Sequence, residues 1–225
     1  RGVARSAVER FGRIDILLNN AGFGMIGAIE ETSAAEVESV FRTNVFGLLN
    51  VTRAVLPYMR AQGSGHVLNM SSIGGYAASM GFGIYCATKF AVEAISEAMS
   101  AELEPLGIST TVVEPGYFRT GFLGEKSVVS TSARIDDYSG TVGGVRRFAQ
   151  SADGQQPGDP QRLAEAVMTL VDSHRPPRRL PLGADTVARI EQKHREVEAE
   201  LAQWREVALS TCFVHHAELG LAHSS

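Results

Sequence analysis

The stretch "SSIGGYAASMGFGIYCATK", Ser71–Lys89, sets Tyr85 thirteen residues after Ser72 and four before Lys89 among several glycines. With its flanks it decides the fold. "HVLNM" (His66–Met70) before it reads as an apolar strand, and a helix follows from about Ile84 to Glu104, stopped by Pro105 and Gly107. "ISTTVVEP" (Ile108–Pro115) is the next strand. Toward the N-terminus, "IDILLNN" (Ile14–Asn20) reads as a buried strand. Ser33 and Glu36 then form a capping box, and Val37, Val40, Phe41, Val45, Leu48, Thr52, Val55 and Met59 recur at helical spacing. That predicts one long helix, kinked at Pro57. Strands alternating with helices give an α/β class with a parallel sheet.

On a helix, four-residue spacing puts Tyr85 and Lys89 on one face. A free phenol, with a pKa of about 10, exchanges protons poorly at neutral pH. A neighbouring ammonium favours the phenolate and lowers that value, which makes Tyr85 a usable acid/base. Ser72, at the preceding strand end, is positioned to hydrogen-bond a substrate oxygen. The set suits interconversion of a carbonyl and an alcohol.

Composition narrows the class. At 225 residues with 44% hydrophobic residues, the chain fits one soluble globular domain, 1–225. A net charge of -4 without a basic stripe argues against nucleic acid. Cys86 and Cys212 have no ligand spacing, which points to no metal, no disulfide and a reducing cytoplasm. No apolar run approaches the ~18 residues of a membrane span. From Gly121 to about Gln156 glycine, serine and threonine dominate, so about 121–158 reads as a mobile substrate flap. Asp159 and Pro160 open a helix to about Val171, and "RRLPLG" (Arg178–Gly183) is an edge strand. A helical extension at about 184–209 carries Val187, Ile190, Val197, Leu201 and Trp204 on one side, a face expected to pack on the body. Ser210–Ser225 carries no readable pattern.

Four motifs in order, "NNAG" (Asn19–Gly22), "RTNVFG" around Asn44, the Ser72/Tyr85/Lys89 set and "EPGYFRT" (Glu114–Thr120), resemble the short-chain dehydrogenase/reductase family. The resemblance is strong from Ala7 to Thr120. It implies a Rossmann-like doubly wound parallel sheet, with Tyr85 as catalytic acid/base, Lys89 tuning it and holding a nicotinamide ribose, Ser72 orienting the carbonyl, and Asn44 holding a relay water. Asn20, Ala21 and Gly22 would line the cofactor by their backbone, and Pro115, Gly116, Phe118 and Thr120 would contact the nicotinamide. The cofactor implied is NADP or NAD, with NADP favoured. "VEPGYFRT" and the C-terminal extension resemble the hydroxysteroid and retinol dehydrogenase branch, which implies an apolar small-molecule substrate and a homodimer or homotetramer.

"GFGMIG" (Gly22–Gly27) spells a GxGxxG fingerprint, but the helix cap comes only at Ser33, so it does not read as a phosphate loop. In the family that loop follows the first strand, and no such segment precedes Ala7. The expectation is therefore a fragment lacking the first three strands. Two other readings remain: a non-catalytic binding or assembly module, and a lyase resembling halohydrin dehalogenases. Lys89 argues against the second, because that group has arginine there.

Overall fold

The computed structural model describes residues 2–124 and 127–213. Along the chain come α1 (Gly2–Phe11), β1 (Ile16–Asn19), β2 (Gly24–Ile26), α2 (Ala34–Phe41), α3 (Leu48–Gln62), β3 (Gly65–Met70) and α4 (Gly83–Leu103). Next are β4 (Ile108–Pro115), β5 (Val128–Ser130), α5 (Val142–Ala152), α6 (Pro160–Val171), β6 (Arg179–Leu182) and α7 (Ala184–Leu209). The main sheet is parallel throughout, in the order β1-β3-β4-β6, and β2 pairs with β5 in a separate parallel ladder.

The sheet is covered on both faces because β3 and β4 are apolar on both sides, as buried parallel strands require. Val67 packs with Ala4, Val55, Met59, Met99, Leu103 and Ile108 from α1, α3, α4 and β4. Its neighbour Leu68 points the other way and packs with Val113 and with Leu170 of α6. The expected α/β parallel sheet is therefore the fold. Ile108–Pro115 and Pro160–Val171 run as the sequence indicates, and Asp159 Oδ1 accepts the Gln161 N–H at 2.8 Å as the cap of α6.

Among the described residues β1 pairs only with β3, and Ile16 and Leu18 are exposed. Three expectations change. The long helix continues through Pro57 and is interrupted earlier, where Arg42–Gly47 widens into a π turn. The glycine-rich region is organised, containing β5, α5 and two single 3-10 turns; residues 125–126 of that region lie outside the described residues. Finally, Val187, Val197, Leu201 and Trp204 of α7 are exposed instead of packed. That helix meets the body chiefly at β6 and at the turn Ile73–Gly75. "GFGMIG" lies across β2, and Ser33 caps α2 with the full capping box.

Candidate active site

β3 and β4 both end at one rim of the sheet, and a cavity of about 350 Å³ opens there. Ser72 follows the end of β3 in extended backbone, and its Oγ accepts the Gly74 N–H at 3.1 Å, capping a 3-10 turn. α4 starts at Gly83, so Tyr85 and Lys89 sit in its first two turns, on the face toward that rim. Ser72, Tyr85 and Lys89 all line the cavity, together with Asn20, Gly22, Pro115, Gly116, Phe118 and Thr120. Ala21 is exposed and is not among the lining residues.

Tyr85 is buried, between the rings of Phe82 and Phe122 at centroid distances of 6.2 and 5.7 Å. Burial pushes its phenol above the ordinary value, and the Ser72 hydroxyl works in the opposite direction. This reverses the spacing argument, which called for a phenol lowered by Lys89. The reason lies in the geometry. Lys89 Nζ stands 5.7 Å from the Tyr85 ring centroid, over its face, and donates a hydrogen bond of 2.8 Å to the Met70 carbonyl. The ammonium is itself desolvated, which lowers its pKa to about 8, and the charge of Glu93 opposes that loss.

Asn44 occupies the π turn and is 2% exposed. Its Oδ1 accepts the Phe23 N–H at 3.0 Å, and its Nδ2 donates to Phe23 O and to Thr88 Oγ1, each at 3.0 Å. The side chain thus ties the segment after β1 to α4, and it stands behind the cavity lining. A mid-helix asparagine competes for backbone bonds, and the wider π turn accommodates one whose amide is spent on another segment. Gly22 is needed beside it: a Cβ there would lie 3.1 Å from Asn44 Oδ1 and 3.6 Å from Lys89 Nζ.

The rest of the wall is largely aromatic and aliphatic: Phe82, Tyr117, Phe122, Leu123 and Leu163. Tyr117 is held by its N–H, donated to Asp185 Oδ2 at 2.8 Å. Sequence reasoning missed Asp185, since 68 residues separate the pair. It also missed Thr88, whose hydroxyl donates to Tyr85 O at 2.7 Å while receiving Asn44. Burial raises the Cys86 thiol pKa, as expected of a small packed residue. Among the described residues no group of three or more His, Cys, Asp or Glu could hold a metal ion, and no helix is long and apolar enough to cross a membrane.

Residues 1–128 match the family model described as short chain dehydrogenase. Oxidoreductase BOA17 of Botryotinia fuckeliana is 33% identical over 92% of this chain and 75% of its own length. The 3-ketodihydrosphingosine reductase of Bacteroides thetaiotaomicron is 38% identical over 80% of this chain and 68% of its own. A crystal structure of a short-chain dehydrogenase from Streptomyces avermitilis superposes with a TM-score of 0.86 at 42% identity, covering 94% of this chain and 76% of that one.

Proposed function

The chain belongs to the short-chain dehydrogenase/reductase family, a NAD(P)-dependent group of oxidoreductases, and on that footing we propose that it reduces an apolar ketone or aldehyde to its alcohol. The observation that carries this reading is the meeting of Ser72, Tyr85 and Lys89, from two separate elements, at one apolar cavity. Tyr85, a phenol and so protonated at neutral pH, is the proton donor to the carbonyl oxygen. Ser72 gives that oxygen a second hydrogen bond as negative charge grows on it. Lys89 contributes a positive charge beside the phenol, so that Tyr85 can lose its proton without leaving an uncompensated buried anion. Phe82, Phe122, Leu123 and Leu163 exclude water and favour an apolar substrate body.

The same cavity suits the nicotinamide end of NADP or NAD: Asn20, Gly22, Pro115, Gly116 and Phe118 line it, Lys89 offers a cation and Thr120 a hydroxyl. When bound, that group supplies the hydride. Asn20, Ala21, Gly22, Pro115, Gly116, Phe118 and Thr120 are the residues assigned to hold it, and NADP is preferred on the motif "VEPGYFRT" (Val113–Thr120). Asn44 keeps the Phe23 backbone and α4 in register behind Lys89, the place where a relay water would be held. Pairing of subunits through α3, the π turn that leads into it and α4 would cover the exposed Phe46, Val51 and Phe90. A reducing, cytoplasmic setting agrees with two unpaired cysteines, Cys86 and Cys212. We expect Tyr85→Phe to abolish turnover of a hydrophobic ketone with NADPH while leaving nicotinamide binding, followed by fluorescence, intact. Substantial turnover by that variant would refute the role of Tyr85.

A further inference from the structure

Behind the wall that carries Ser72 and Lys89 lies a group of charges that the reaction described above does not use. Glu93 follows Lys89 by one turn of α4, on the same helical face, and is 5% exposed. Glu114, near the end of β4 and just before Pro115, is 1% exposed. Arg179 of β6 joins them: Nη1 donates to Glu93 Oε2 at 3.0 Å and to Glu114 Oε1 at 3.4 Å, and Nη2 donates to Glu97 Oε2 at 2.7 Å. Its guanidinium lies 5.6 Å from the Tyr76 ring centroid, and the Tyr76 hydroxyl is hydrogen-bonded to His194 of α7. The loop backbone seals the cluster from the cavity side. A Cβ on Gly75 would stand 2.4 Å from Ser71 Oγ, 3.0 Å from Lys89 O and 3.1 Å from Glu93 Cγ.

Charge balance gives this arrangement its meaning. Two buried carboxylates share one guanidinium, and Arg179 also serves the exposed Glu97, so an ionised pair keeps uncompensated negative charge. Lys89, one turn from Glu93, is the buried cation that can balance it, and Glu93 is the group whose charge favours the ammonium there. The groups facing Glu93 are Lys89 and Glu97 from α4, Ser71 after β3, Glu114 from β4 and Arg179 from β6, with Tyr76 and His194 beyond Arg179.

We propose that Glu93 is a positioning residue for the reaction, its carboxylate held by Arg179 so that Lys89 stays an ammonium at the cavity wall beside Tyr85. Glu114 acts in the opposite sense. It competes for Arg179, and its charge, added to burial, pushes Glu93 toward its neutral form. The proposal rests on the reading of Ser72, Tyr85 and Lys89 given above, but its test needs neither substrate nor cofactor.

The sequence contains three lysines, Lys89, Lys126 and Lys193, so protein grown with lysine labelled with carbon-13 at Cε gives three signals to follow by NMR. Lys89→Arg identifies the one belonging to Lys89. Its midpoint should lie near pH 8 in the unaltered protein. Glu93→Gln should lower it by about one pH unit or more. Arg179→Met should also lower it, because two neighbouring buried carboxylates cannot both stay ionised without a cation. Glu114→Gln should raise it. In turnover, the alkaline limb of the pH profile should move with these midpoints, whereas a merely structural Glu93 would lower the rate at every pH and leave the limb in place. An unmoved Lys89 midpoint in Glu93→Gln, or displacement in the same direction in Glu93→Gln and Glu114→Gln, overturns the proposal. Should Glu93→Gln not fold, the opposed displacements of Arg179→Met and Glu114→Gln decide it. Failure of the Tyr85→Phe prediction would undo the reading of the site and leave these midpoints as they are.

Discussion

Whereas Ser72, Tyr85 and Lys89 stand on a strand end and a long helix, the segment 121–158, which contributes Phe122 and Leu123 to the same cavity, joins a short strand pairing to several long-range side-chain bonds. The segment after β2 sends three consecutive or near-consecutive carboxylates across to it. Glu30 Oε2 accepts the Tyr138 hydroxyl at 2.7 Å, Glu31 Oε1 accepts the Ile135 N–H at 3.0 Å, and Glu36 Oε1 accepts the Ser132 N–H at 2.9 Å. Glu31 also takes the Ala28 N–H at 2.8 Å and pairs with Arg146 of α5 in a buried ion pair. One wall is thus fixed by the main sheet and its core, the other by the short β2/β5 ladder, packing around Leu123, Val128 and Val142, and several charge-assisted bonds to distant carboxylates. On the proposed reading the first wall carries the proton transfer, and the second shapes the substrate side while meeting the first through Phe122, whose ring lies 5.7 Å from that of Tyr85.

Arg146→Met attacks the second wall at its strongest point. It leaves the Glu31 carboxylate, whose side chain is fully buried, without its cation, and should cost about 3–5 kcal/mol of stability, read by denaturant unfolding. The accompanying rise in KM should exceed any fall in kcat. On the first wall, Ser72→Ala should lower kcat about 10²–10³-fold, the loss of a donor to the developing oxyanion, with little change in thermal midpoint. If both variants changed kcat and stability alike, the two walls would be one unit and the distinction would fall.

Acid sharpens the contrast. Hydrogen bonds from the Ala28 N–H and Arg146 hold Glu31 down to about 2, and bonds from the Ser33 hydroxyl and Ser132 N–H hold Glu36 down to about 2. A carboxylate lowered in the folded state stabilises the fold above its unfolded value and loses that contribution as pH falls through the folded one. The flap should therefore loosen between about pH 4.5 and about pH 2, seen as proteolytic cleavage within 127–158 before the sheet unfolds. A smaller effect is expected at the start of α6. Asp159→Ala, which removes the cap of α6, should cost about 1 kcal/mol and leave kcat unchanged.

The same contrast explains what the sequence made legible. β4 was readable because five of the six residues Ile108–Val113 are β-branched and a proline closes the run two residues later. The Tyr85/Lys89 relation was readable because four residues on a helix are local geometry. The flap was not, because Glu31–Ile135 and Glu36–Ser132 span 104 and 96 residues, and nothing local marks a carboxylate as a distant anchor. Asn44 was singled out by resemblance, yet the π turn that houses it follows from its bonds to Phe23 and Thr88, again beyond any local window. Pro57 stands inside α3, which continues to Gln62, so the proline does not end the helix. Glu93 had a local signal, one turn after Lys89, that went unread because the carboxylate gains its significance only from Glu114 and Arg179 on two other strands.

The most direct test of the account follows the hydride and the proton donor together. An apolar ketone is incubated with the protein and NADPH carrying deuterium at the transferable position, and the alcohol is analysed by mass spectrometry. The account predicts one deuterium at the carbinol carbon with the unaltered protein and no alcohol above background with Tyr85→Phe. Alcohol formed without deuterium, or labelled alcohol formed equally well by Tyr85→Phe, would contradict it.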